Sequence, residues 1–184
     1  SFPTRRSSDL LQVDEPGLVA VLEGTLGSVS GLSRFDPVDP PIAQDALRQI
    51  FDAIPNVLSG LHCCAANPPL RAMTNSGAKF FSIDLTLGRV DEDAMGEAWE
   101  QGIALFAGCI DPFLLGERRM SDTTASAPLR NLAHHLGLED AVHMASVVMT
   151  PRCGCSGASW VQTRAAYDAA KRAGRVLRNE DSHE

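Results

Sequence analysis

The sequence predicts an α/β fold built on a parallel sheet, from three observations. Short apolar runs alternate with longer segments of helical period five times along the chain. Hydrophobic residues make up 44% and charged residues 21%, enough apolar material for a core and unlike a disordered chain. Finally, Asp14, His62, Cys64, Asp84 and Cys153 stand at or just beyond the ends of the apolar runs. In α/β proteins the carboxyl ends of the strands form the functional face. Successive β-then-α units imply right-handed crossovers, and both a doubly wound sheet and a (β/α)8 barrel satisfy the pattern.

The elements follow in order. Residues 1–10 are polar and patternless, and Ser7-Ser8-Asp9-Leu10 back-translates like a sequencing-library adapter. They are expected to be non-native and carry no weight in the fold. Strands are predicted over 10–13, 57–61, 79–85, 103–110 and 143–149. Between the first two, Ile42, Ala46, Leu47, Ile50, Phe51 and Ile54 form an apolar helical stripe. Ala94, Met95, Ala98 and Trp99 form another, opened by Asp91, Glu92 and Asp93, which suit a helix N-terminus. Leu129, Leu132, Ala133 and Leu136 make a third, closed by Gly137. The last helix, roughly 158–177, is alanine-rich on its inner face, with Arg172, Arg175 and Arg178 complementing its dipole. Residues 179–184 read as a frayed polar tail. Trp99 and Trp160 are read as packing residues.

Composition removes several function classes. With 16 basic and 23 acidic residues the formal charge is −7, which argues against nucleic acid or an anionic membrane as partner. The longest apolar run, 103–110, is strand-sized, and no apolar h-region follows the first arginines, so a cytoplasmic protein is expected. Gly24, Gly27 and Gly31 lack G-x-G spacing, which argues against a nucleotide fingerprint. Five cysteines, an odd number, occur as Cys63-Cys64, Cys153-x-Cys155 and a lone Cys109. Without a leader, such spacing reads as metal or thiol chemistry before disulfides.

His62 and Cys64 follow a strand at i and i+2, so both can address one ion while Cys63 points away. Cys153 lies in the turn Pro151-Arg152-Cys153-Gly154, which can hold a thiolate in place. One nitrogen and two sulfurs suit Zn²⁺, and an exchangeable position makes such a site catalytic. Asp84 is the available oxygen ligand. The bland alternatives are a core histidine and a buried thiol; Cys109 and Cys155 are read that way, and His134, His135 and His143 as solvated.

With these residues placed, the sequence resembles the cobalamin-independent methionine synthase family, in its C-terminal catalytic barrel and shorter stand-alone relatives. The resemblance rests on Leu11-Gln12-Val13-Asp14-Glu15-Pro16, Leu61-His62-Cys63-Cys64, Phe81-Ser82-Ile83-Asp84 and Val148-Met149-Thr150-Pro151-Arg152-Cys153-Gly154, in family order. It implies a (β/α)8 TIM barrel in which His62, Cys64 and Cys153 bind zinc and Asp14 contacts the amino group of homocysteine. The implied activity is methyl transfer to the homocysteine thiol, giving methionine. Zinc acidifies a coordinated thiol, and two thiolate ligands moderate the charge of the ion so that the bound sulfur stays nucleophilic.

Three departures stand out, the last two of them on the methyl-donor side. Asp84 stands where the family has glutamate; no carboxylate follows Pro16 until Glu23; and Ala107-Gly108-Cys109-Ile110-Asp111 lacks the family's proton-donating histidine, Asp111 being the nearest ionisable group. The donor is therefore either methyl-folate or, given these losses, a methylated corrinoid protein. Two other readings stay open, a metal-free uroporphyrinogen decarboxylase-like enzyme and a non-catalytic zinc-binding paralogue. Against a whole barrel, residues 11–178 supply five βα units, so the chain is expected to be an N-terminally truncated, incomplete barrel, poorly stable and inactive alone.

Overall fold

A computed structural model describes residues 10–114, 120–138 and 144–178. The expectations for residues 1–9, for His143 and for the tail from 179 lie outside the described residues. Five strands form one sheet: β1 (Leu10–Asp14), β2 (Leu58–Cys63), β3 (Phe80–Asp84), β4 (Ala104–Ile110) and β5 (Val147–Pro151). All neighbouring pairs are parallel and the spatial order is the chain order, β1-β2-β3-β4-β5. A doubly wound sheet reverses its winding at a switch point. This one does not, so its winding is that of a partial βα barrel.

The strands differ from expectation at their ends. β2 runs on through His62 and Cys63, so the alternation that separates those two side chains holds inside the strand itself. β5 starts at Val147, not at 143, because Met144 and Ala145 adopt helical geometry and the β-branched pair Val147-Val148 begins the extended segment.

Helices α1 (Leu18–Glu23), α2 (Pro40–Asp52), α3 (Leu70–Asn75), α4 (Glu92–Glu100), α5 (Asp122–Leu136) and α6 (Trp160–Leu177) alternate with the strands. In α4 the side chain of Asp91 accepts from the Ala94 N–H, and Ala94, Met95, Ala98 and Trp99 are all buried. α5 is capped by Ser121 and ends at Gly137, whose φ of 66° is the left-handed conformation that favours glycine there. Ser159 and Gln162 form a capping box that starts α6, which buries Ala166, Ala169, Ala170 and Ala173.

Three expectations need correction. The stripe on α2 is rotated: Leu47 and Phe51 are buried, whereas Ile42, Ala46 and Ile50 are exposed. Arg172 does not serve the α6 dipole alone, because its Nε pairs with Asp122 Oδ1 at 3.0 Å, fastening α6 to α5. Trp160, at the first turn of α6, is 77% exposed and packs against little.

The two sheet faces are unequal. The row Val13, Leu61, Phe81, Leu105 and Val147 runs in register across all five strands and belongs to the core with α3, α4, α5 and α6. The row one residue on, Asp14, His62, Ser82, Phe106 and Val148, crosses the opposite face. There Phe80 stacks on Phe106, ring centroids 4.4 Å apart, while Leu10, Leu58 and Val148 of β1, β2 and β5 stay exposed. Among the described residues no helix is long and apolar enough to cross a membrane.

Candidate metal centre

The second face ends in a cleft of about 390 Å³ at the carboxyl edge of the sheet. Gln12, Asp14, His62, Cys64, Ser82, Phe106, Thr150 and Cys153 line it, with Tyr167 of α6 at one side. Within it, one ligand atom each from His62, Cys64 and Cys153 lie within 4.8 Å of one another. They arrive from distant places, β2 and the residue just after it, and the turn beyond β5.

His62 is oriented by β3. Its Nδ1 lies 2.9 Å from the carbonyl oxygen of Ser82 and 3.0 Å from Ser82 Oγ. A carbonyl only accepts, so Nδ1 carries a proton, and in the neutral ring the lone pair is on Nε2. That lone pair faces Cys153, whose sulfur is 3.8 Å away. A backbone acceptor behind a ring nitrogen is the arrangement that fixes histidine ligands in metal sites.

The thiols divide by face. Burial pushes the Cys63 thiol up, against the lowering influence of the Ala65 backbone N–H, and burial pushes Cys109 up to about 12. Both sit in the core. Cys155 is packed against that core and stands outside the converging group. Cys153 is also raised, first by burial of its sulfur, then by the neighbouring Cys64 and the charges of Asp84 and Asp14. Burial, Cys64 and the two carboxylates together disfavour a Cys153 thiolate until a cation enters. The donor set thus fits a borderline-soft divalent ion, and its binding must release protons.

The carboxylates have different stations. Asp14 ends β1, is exposed at the cleft, and accepts from Gln12 Nε2 at 2.8 Å. The Glu15 N–H donates to the His62 carbonyl at 2.8 Å, which holds the Asp14-Glu15-Pro16 turn over the end of β2. Asp84, expected as a fourth ligand, is buried at the end of β3 and is not in the converging group. Its Oδ1 accepts from Thr86 N at 2.7 Å and Thr86 Oγ1 at 2.6 Å, so that oxygen is committed to its own turn. Asp111 faces Arg152 at 2.7 Å. His135 pairs with Glu92 on the surface, away from the cleft. Ser82 was not singled out by sequence; its place two residues before Asp84 on the same strand face is the signal that points to it.

Neither a scan of protein-family models nor a search of curated proteins finds a match for this chain. The fold and the site define it as an α/β protein with a candidate His/Cys₂ metal centre at the carboxyl edge of a parallel sheet.

Proposed function

We infer that the chain is the metal-bearing part of a zinc-dependent thiol methyltransferase, acting on homocysteine or a closely similar small thiol. The observation that carries this reading is the convergence of His62, Cys64 and Cys153 in an open cleft. Three protein donors leave a position for an exchangeable ligand, as catalytic zinc sites do. When bound, zinc lowers the pKa of a coordinated thiol enough to make it a nucleophile at neutral pH. Ser82 holds the His62 ring so that Nε2 faces inward. Cys64 and Cys153 give up their protons on loading. Asp14, exposed at the cleft and steadied by Gln12, offers a carboxylate to an ammonium group, and Phe106 offers an apolar wall to the carbon chain.

The same reading takes the sheet as part of a (β/α)8 barrel. Its support is the single direction of winding and the incompletely covered second face, which in a barrel is the packed interior. A decarboxylase for a polyanionic substrate is less well supported, since among the described residues lining the cleft there is no arginine or lysine.

Metal analysis tests the reading first. About one zinc per chain is expected, lost in His62→Ala and Cys153→Ser and kept in Cys155→Ser. Absence of stoichiometric zinc from the unmodified chain overturns it. Methyl transfer to homocysteine, assayed with methyl-folate and with methylcobalamin as donors, then identifies the donor; the missing carboxylate and histidine favour the corrinoid.

A further inference from the structure

We propose that Asp111 and Arg152 are positioning residues for this centre: their ion pair holds the turn after β5 across the end of β4, so that Cys153 reaches His62 and Cys64. The proposal rests on reading the three donors as a metal centre. On a flat sheet β2 and β5 are separated by three strand spacings, about 14 Å. The ligand atoms nevertheless lie within 4.8 Å of one another. Sheet curvature and the turn after β5 close that gap between them.

Three contacts steer the turn inward. At Gly108 a side chain is excluded: a Cβ there would stand 2.7 Å from the Arg152 Cα and 2.8 Å from the Ile83 carbonyl oxygen. The backbone of Arg152 therefore lies directly over β4. The β4–β5 register shifts between Gly108 and Ile110, and the Arg152 N–H donates to the Ile110 carbonyl at 3.0 Å. Beyond the ladder, an Arg152 guanidinium nitrogen lies 2.7 Å from Asp111 Oδ2, and the Asp111 side chain is only 13% exposed. Asp111 is fixed at its other oxygen as well, because Oδ1 accepts from the Phe113 N–H at 2.9 Å. A carboxylate held on both sides is a rigid anchor, and charge-assisted pairs of this kind are the stronger hydrogen bonds. Cys153 follows Arg152 directly, so the anchor sets where its sulfur stands.

Asp111→Asn keeps an oxygen for the Phe113 N–H and puts an amide donor in place of the carboxylate oxygen opposite Arg152, so it breaks the ion pair and leaves the Phe113 contact. The first measurement needs no metal. In the metal-free chain carrying Cys155→Ser, the Cys64–Cys153 disulfide is equilibrated with glutathione; two protein thiols and one glutathione disulfide give one protein disulfide and two glutathiones. Asp111→Asn and Arg152→Gln are each expected to lower that constant about tenfold, with the metal-free thermal midpoint little changed. Asp111→Arg combined with Arg152→Asp is expected to recover part of it, since the ion pair returns while the Phe113 N–H loses its acceptor. Cobalt affinity, read from thiolate-to-cobalt absorption, is measured in parallel on the otherwise unmodified chain. If that chain binds no cobalt while both single variants lower the constant, the metal reading fails and the positioning role stands. If the constant is unchanged in both single variants, the proposal is overturned, whether or not cobalt binds.

Discussion

Two rows of side chains cross this sheet one residue apart, and they have opposite fates. Val13, Leu61, Phe81, Leu105 and Val147 share a face with Cys63 and Cys109 and are packed under helices. Asp14, His62, Ser82, Phe106 and Val148 share the other with Gln12 and Thr150, and all of these but Val148 line the cleft. Cys63 and Cys64, joined by one peptide bond, thus end in different chemistry. One is a sealed core thiol with no exposure; the other is a donor in the open group. Strand alternation alone makes the division, which means stability and the candidate metal centre are separable by parity along each strand.

That separation can be broken most severely by exchanging the two residues, His62→Cys with Cys63→His. An imidazole is then forced into the core, and a loss of about 5 kcal/mol or more is expected, enough to unfold a domain of ordinary stability in a urea titration. Phe81→Ala is next: unfolding stability falls by about 3–5 kcal/mol, while cobalt affinity of the remaining folded protein is unchanged. Cys64→Ser gives the reverse, metal binding lost with stability changed by less than about 1 kcal/mol.

The thiol on the packed face also has a pH signature. Cys109 keeps its proton up to about 12 when folded, against an ordinary value of 9.0. Between those limits the unfolded chain loses a proton that the folded chain retains. Its contribution to stability is complete below about pH 9 and declines as pH rises through the window, by at most about 1.4 kcal/mol per pH unit. Cys109→Ala is expected to flatten that decline in denaturant midpoints measured across the range. Smaller still is Ser82→Ala. It removes Oγ but leaves the carbonyl that accepts from His62, so zinc affinity is expected to fall by less than about tenfold, below the usual range for full loss of such a partner.

Much of this was legible in the sequence because both signals are local. The i, i+2 spacing of His62 and Cys64 follows from strand geometry, and the burial of Ala94, Met95, Ala98 and Trp99 from helical period. The stripe on α2 misled because Ile42 and Ile50 continue an apolar period that tertiary packing does not use; Leu47 and Phe51 are buried and Ala43 packs beside them. Asp84 misled for another reason. A strand-end carboxylate suits a metal, but its own turn offers Thr86, and a donor two residues away competes before any ion does. The approach of Cys153 to His62 depends on Gly108 lying beneath Arg152, a contact between segments remote in sequence that no local pattern encodes.

That remoteness has a further consequence. His62 and Cys153 stand 91 positions apart, and β3 and β4, which lie between their strands, contribute no donor to the group. An ion gripping both residues would close a long loop of chain and act as a cross-link, restricting the unfolded ensemble much as a disulfide of that span does. Loading the centre would then raise the resistance of β3, α4 and β4 to proteolysis, although none of them touches the ion.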